Sequence, residues 1–314
     1  FKHVKKIKEK IIEILKNGEI TQRELRENIG ISKSYISEIL NSMEKEGLIK
    51  RRRISERTVM VDLNRNLYMN VGILKSSEYA AVLLTAKDIN EFNVKVLVYN
   101  NSLEELKDLL IEKIDIAFAP VATGLIFHLI DENIVVLNGC ARGGSGIIYT
   151  EKDGAIGSTL LSTMDIISRK FSKSTKIRYF SSPEEMKDSY LRDELKGISI
   201  WEPYFSLINR GKKIYMEKNM LCCGLLTLSK KIDNKIKIFQ KRFIENSMDL
   251  RNGKRKEEAS LLISKTLGID YDIILKSLES YIFDTEITFS DIENIMNSFE
   301  INAKNDTIKK FLLI

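Results

Sequence analysis

Residues 20–53 read ITQRELRENIGISKSYISEILNSMEKEGLIKRRR, and the punctuation of this stretch decides the amino-terminal fold. Thr21 with Glu24 three residues on is a capping box, in which hydroxyl and carboxylate each satisfy an otherwise unpaired amide. The helix it opens runs through Leu25 to Asn28 and stops at Gly30, a residue that enters the left-handed conformation at no steric cost. Ser32 caps the next helix, whose Ile36, Ile39, Leu40 and Met43 recur at inward-facing spacing, and Gly47 closes it. Upstream, residues 3–17 place Val4, Ile7, Ile11, Ile12, Ile14 and Leu15 on one helical face and end at Asn17-Gly18. Downstream, residues 48–53 and 58–63 alternate as two strands around a polar turn at Ser55-Glu56-Arg57.

Three helices followed by a basic hairpin describe a winged helix-turn-helix. The stretch from Ile20 to Arg53 resembles the MarR-like and related winged-helix regulators, which implies double-stranded DNA as partner. A recognition helix offers its exposed first turns to base edges, while its dipole and free amides favour phosphate. Lys33, Ser34, Tyr35, Ser37 and Glu38 occupy that place. Gln22 and Arg23 open the preceding helix and face the backbone. Lys50, Arg51, Arg52, Arg53 and Arg57 fit a wing touching phosphates or a narrow minor groove. Two plainer readings stand beside these: some of the arginines solvate an edge strand, and Tyr35 is partly core.

Charge supports a separate basic module. Residues 1–66 hold 16 Lys and Arg against 10 Asp and Glu, which accounts for the whole net charge of +6. The rest of the 314-residue chain balances, 34 against 34. A compact basic module on a neutral body points to an anionic partner, nucleic acid before membrane. With 43% hydrophobic and 30% charged residues the chain is globular, and its length predicts two domains. The apolar stretch 114–130 is broken by Asp115, Pro120 and His128, which excludes a clean membrane span. No charged start followed by an apolar core is visible, so a cytoplasmic location is expected; the sequence opens at Phe1 rather than Met. Cys140, Cys222 and Cys223 make neither a disulfide framework nor a CxxC zinc spacing, which fits a reducing compartment.

From residue 67 the texture changes to short apolar runs alternating with amphipathic stretches. Strands are predicted at 68–74, 94–99, 115–119, 134–140, 146–150, 176–180, 197–200, 213–216 and 221–229. Helices are predicted at 78–90, 102–112, 122–131, 158–171, 183–194 and 203–209, and the last 85 residues read almost wholly helical. This alternation predicts an α/β domain with mostly parallel sheets, whose ligands bind where strand ends meet helix starts.

The array VGILKSSEYAAVLLTA (71–86), IDIAFAPVATG (114–124), GGSGIIYT (143–150), GAIGSTLLSTMDIISRKF (154–171), GISIWEPYFSLI (197–208) and CCGLLTLSKKI (222–232) resembles the type II periplasmic-binding-protein fold. The similarity is greatest to the branch for nitrate, alkane sulfonates and thiamine precursors. It implies a winged helix-turn-helix at 1–66 and a two-lobed ligand-sensing domain at 67–314. Lobe 1 would span about 67–145 and 225–314, and lobe 2 about 146–224. Carried over by position, it assigns Ser77, Glu78, Thr123, Ser158, Thr159, Trp201 and Glu202 to the cleft. Trp201 would stack on a planar ligand or wall an aliphatic chain, although as the lone Trp it also suits core packing. Glu202 binds a ligand amine or caps the next helix. Arg142 is the nearest counter-ion for an anion, with a hinge salt bridge as the plainer reading.

The combination reads as a one-component transcription regulator, a homodimer that senses a small molecule resembling a sulfonate, nitrate or thiamine precursor. No cofactor and no metal site are expected, although Cys222 and Cys223 leave iron coordination, or oxidation sensing with Cys140, open beside the plainer reading of small buried residues near a hinge. Two alternatives remain. A thiamine-pyrimidine synthase shares the fold, but its cysteine-rich CCCFC segment is reduced here to Cys222-Cys223-Gly224. A DNA-binding scaffold with a degenerate cleft is the other. No GxxxxGK, HExxH or GxSxG motif is present, and His128 lies on an apolar helix where a satisfied buried histidine is ordinary.

Overall fold

The computed structural model describes residues 2–15, 17–55, 58–64, 68–171, 175–302 and 304–314. The chain divides into two compact units. One is Phe1–Met69 with Glu91–Asn93, and the other is Asn70–Asn90 with Val94–Ile314.

In the first unit, α1 (Lys2–Leu15), β1 (Ile20–Thr21), α2 (Gln22–Ile29), α3 (Lys33–Lys45), β2 (Ile49–Arg53) and β3 (Val59–Leu63) follow in order. Local chemistry sets the boundaries. Thr21 and Glu24 form both halves of the capping box, Gly30 ends α2 at φ 79°, and the Ser32 hydroxyl accepts the Tyr35 amide at the start of α3. β2 and β3 pair antiparallel, and β1 joins the other edge of β3 to make a three-stranded sheet. Ile7, Ile11 and Leu15 of α1 meet Leu25, all four inward residues of α3, and Ile49, Val61 and Leu63 in one core. Val4, expected on the inward face, is exposed.

The second unit carries two five-stranded sheets. Its first part runs β4 (Tyr68–Leu74), α4 (Ala80–Asp88), β5 (Asn93–Tyr99), α5 (Ser102–Leu110), β6 (Ile116–Pro120), α6 (Val121–Ile130) and β7 (Ile134–Gly139). After the short β8 (Arg142–Gly143) come β9 (Ser145–Tyr149), β10 (Ile156–Ser158), α7 (Thr163–Phe171), β11 (Ile177–Tyr179), α8 (Pro183–Leu191), β12 (Gly197–Trp201), α9 (Tyr204–Leu207) and β13 (Lys212–Tyr215). β14 (Cys223–Leu228) returns to the first sheet. The chain finishes through α10 (Asn234–Arg251), α11 (Lys256–Leu267), α12 (Tyr271–Ser277), β15 (Tyr281–Ile282), α13 (Phe289–Ser298) and α14 (Asn305–Leu312).

The first lobe's sheet has the order β5-β4-β6-β14-β7, and the second lobe's β11-β10-β12-β9-β13. Both are less parallel than strand–helix alternation predicts. β14 runs antiparallel to β6 and β7, and β9 antiparallel to β12 and β13. These are the strands that cross between lobes. They arrive without the helical crossover that a parallel neighbour requires, so they pair antiparallel. Each lobe has its own apolar core. Among the described residues no helix is long and apolar enough to cross a membrane.

Candidate functional sites

On the winged helix, α3 projects Lys33 and Ser34 into solvent from its first turn, with Glu38 one turn further. Ser37 is half-buried, as is Gln22 at the start of α2. Tyr35 is also half-buried and packs against the module's core. Lys50, Arg52 and Arg53 are exposed on β2.

Arg51 departs from the expectation of a phosphate contact. It turns back onto α3, where its Nε donates to Glu44 at 2.9 Å and its Nη2 to Asn41 at 2.6 Å. The Arg51 amide also donates to Glu44. Hydrogen bonding from Arg51 holds the Glu44 carboxyl below its ordinary range. Arg51 therefore braces wing against recognition helix. Arg52 pairs with Glu19 at 3.3 Å with both side chains mostly in water, a contact weak enough to exchange for phosphate. Arg57 lies outside the described residues.

In the second unit, the ends of β4, β6 and β12, the loop before α7 and the returning segment at Cys222-Cys223 converge between the lobes. They enclose a cavity in which the centre of a water molecule has about 30 Å³ to move, room for a water or two. Of the expected cleft residues, Glu78, Thr159 and Trp201 line it. The Trp201 indole N–H donates to the Lys75 carbonyl at 2.7 Å, tying lobe to lobe.

The other four expected residues have their side chains engaged or aimed elsewhere. The Ser77 hydroxyl accepts from Ser277 at 2.8 Å. Thr123 donates to the Leu161 carbonyl at 2.9 Å, a second bridge between lobes. Glu202 caps α9, accepting from the Ser206 amide and hydroxyl and from the Tyr215 hydroxyl; burial raises its carboxyl pKa. Ser158 does not open a helix. It ends β10, and α7 starts only at Thr163, with Ser162 accepting the Met164 amide. The Ser158 hydroxyl is buried without a partner.

Sequence reasoning missed Ser76, Ser102 and Thr163, which line the cavity. Ser76 and Ser77 are adjacent equivalents, and only the turn at Ser77–Tyr79 decides which faces inward. Cys222 and Cys223 also line it, with the Glu78 carboxylate accepting the Cys223 amide at 3.2 Å. Burial, and then Cys222, raise the Glu78 pKa well above its ordinary value. Of the two thiols Cys222 is the more acidic, because Cys223 hydrogen-bonds to it. Arg142 is not at the cavity. It forms ion pairs with Asp284 at 3.2 Å and Asp291 at 2.9 Å, the hinge salt bridge. His128 is buried with Nδ1 on the Ile134 carbonyl at 2.7 Å.

Comparisons with known proteins agree with both units. Residues 5–50 match the family described as winged helix-turn-helix DNA-binding. The nitrate-binding protein NrtA from Synechocystis PCC 6803 superposes with a TM-score of 0.69 at 12% identity, over 79% of this chain and 86% of its own. A ligand-binding component of an ABC-type import system from Staphylococcus aureus, with zinc bound, gives 0.63 at 17% identity, over 74% and 91%. The alkanesulfonate-binding protein SsuA from Xanthomonas axonopodis pv. citri, bound to MOPS, gives 0.60 at 12% identity, over 79% and 94%. No curated protein sequence matches the chain. The chain thus joins a winged helix-turn-helix to a domain with the fold of type II periplasmic binding proteins.

Proposed function

We propose that the chain is a one-component transcription regulator, which binds operator DNA through the winged helix and senses a ligand held between the two lobes. The observation that carries this reading is the joining, in one polypeptide, of a DNA-binding module to a fold built to close on a ligand. Lys33, Ser34, Lys50, Arg52 and Arg53 supply the exposed hydroxyls and charge that position such a module on a duplex. A single short recognition helix reads few base pairs, so the working form is a homodimer on a roughly palindromic operator, half-sites one helical turn apart. With DNA as partner the protein works in the cytoplasm.

The role of the lobes is binding rather than catalysis. His128 is committed to a carbonyl in the core and stands away from the cavity. Among the described residues no Lys, Arg or His lines the cavity. That argues against an anion within this small cavity, since a buried charge needs a counter-charge. A ligand that bridges both lobes shifts the balance between open and closed forms by its differential contacts, and a coupling of about 1–3 kcal/mol to DNA affinity is the usual scale.

The test has two arms. Fluorescence anisotropy of the full chain on its own upstream DNA should show tight binding that weakens steeply with salt. Native mass spectrometry identifies any co-purified ligand, which is then titrated with and without that DNA. No preference over random DNA would refute the regulator; equal ligand affinity in both titrations would refute the sensor.

A further inference from the structure

Glu78, Cys222 and Cys223 are the one group of metal-ligating side chains found together among the described residues. Their ligand atoms all lie within 4.8 Å of one another, and all three residues are buried. In a regular strand the side chains of adjacent residues point to opposite faces. Here the strand begins only at Cys223, Cys222 lies just outside it, and the two sulfurs stand 3.7 Å apart. Two thiolates on one tetrahedral zinc, each about 2.3 Å from the metal, stand about 3.8 Å apart. The sulfurs therefore already have the spacing of a shared metal.

We propose that Glu78, Cys222 and Cys223 bind one thiophilic divalent cation of the zinc class, with its fourth coordination position facing the interlobe cavity. The surroundings support the ligands as well as confine them. The Tyr79 hydroxyl donates to the Cys223 sulfur at 3.2 Å, and Thr163 stands 3.5 Å from that of Cys222. Ser145 lies beside Cys222 with its hydroxyl buried. Hydrogen-bonding groups of this kind orient ligands and fix their protonation. Two thiolates and a carboxylate are a donor set for a borderline-soft ion rather than for magnesium or calcium. The cavity has room for an ion and a water, and the absence of a cationic side chain on its wall removes the competing charge. Binding releases the thiol protons, and a carboxyl proton where present, to solvent. Cys140 stays outside the set, its sulfur 3.7 Å from the Glu78 carbonyl. As the identity of the sensed ligand the proposal rests on the regulator reading; as a metal site it stands without it.

Cobalt(II) is the probe, titrated anaerobically into the reduced full chain. The expected result is an intense near-ultraviolet sulfur-to-cobalt charge-transfer band that saturates at one ion per chain and is erased by zinc. Cys222→Ser and Cys223→Ser should lose it, Glu78→Gln should bind at least about tenfold more weakly, and Cys140→Ser should be unchanged. Should a cysteine variant fail to fold, alkylation mapping of the wild type takes its place, with zinc slowing the modification of Cys222 and Cys223 but not of Cys140. No band in the wild type, a band that survives both serine variants, or zinc protection absent from the pair would overturn the site. Repeating the operator titration with zinc reads the other question separately: a bound metal that leaves DNA affinity unchanged refutes the metal as the sensed ligand and keeps the site.

Discussion

Lys75 Nζ, at the end of the first strand of one lobe, lies 2.9 Å from Glu184 Oε1 on the first turn of a helix of the other. Burial opposes ionisation of Glu184, but hydrogen bonds from Lys75 and from the Tyr204 hydroxyl hold its pKa below the usual value. With the Trp201–Lys75 and Thr123–Leu161 bonds, and Asn101 donating to the Ser181 carbonyl, the pair forms a latch across the cleft. Both charges are partly exposed, so the pair contributes about 0.5–1 kcal/mol. Lys75→Ala should therefore enlarge the open population several-fold without unfolding the protein. Spin labels placed one on each lobe check this: an unchanged distance distribution would mean that the ion pair does not hold the lobes.

The wing arginines should separate into two behaviours. Replacing Arg52 and Arg53 with Ala removes exposed charge, so operator affinity should fall and the salt dependence flatten by about 0.9 in log–log slope for each phosphate that is no longer neutralised. Arg51→Ala instead unties the wing from Glu44 and Asn41. It should weaken binding with the slope intact and lower the module's melting temperature. A flattened slope in Arg51→Ala would return that residue to the DNA surface.

Elements governed by neighbours in sequence were legible. The capping box at Thr21 and Glu24, the Gly30 stop and the Ser32 cap all follow from local hydrogen bonding, and the apolar spacing of Ile36, Ile39, Leu40 and Met43 from helical geometry. The cleft was legible only as a set of loops. Which of two adjacent serines faces inward depends on one 3-10 turn, and whether Glu202 meets a ligand or Ser206 depends on how Trp201 leaves its strand. The same held at the start of the helix at Thr163, where Ser158 and Ser162 are equal candidates as caps. The meeting of Glu78 with Cys223 joins residues 145 apart in the chain, and no local pattern reports it. Arg51 is the intermediate case: a basic run marks the wing, but not which of its members folds inward.

Arg142 should anchor the hinge. Its guanidinium reaches both Asp284 and Asp291 and also donates to the Asn219 and Glu286 carbonyls. Burial opposes ionisation of Asp291, and the Arg142 hydrogen bond overcomes it and depresses the pKa. For a carboxylate with a depressed folded pKa, the stabilisation is present above the unfolded value and lost as pH falls through the folded one. Arg142→Met should cost about 2 kcal/mol at neutral pH, and the difference from wild type should shrink below about pH 4. Equal melting-temperature losses at pH 7 and pH 3 would assign the effect to packing rather than charge.

Glu105 presents the opposite sign. It is fully buried on the helix Ser102–Leu110, and neither carboxylate oxygen has a hydrogen-bond partner. A Cβ on Gly72 would stand 2.8 Å from one of those oxygens, so the glycine is what leaves room for the carboxyl. Burial, the leading cause, raises the Glu105 pKa well above its ordinary value. In the unfolded chain the group ionises near its usual value of about 4.3, while in the folded protein it stays protonated to higher pH. The folded state then binds more protons than the unfolded one, and stability falls as pH rises between the two values, by about 1.4 kcal/mol for each pH unit. Glu105→Gln keeps the shape and removes the titration. The variant should match the wild type below about pH 4 and exceed it progressively toward neutrality. Denaturant unfolding from pH 4 to pH 8 decides the matter: parallel stability curves for the two proteins would show that Glu105 finds its charge compensated in the fold.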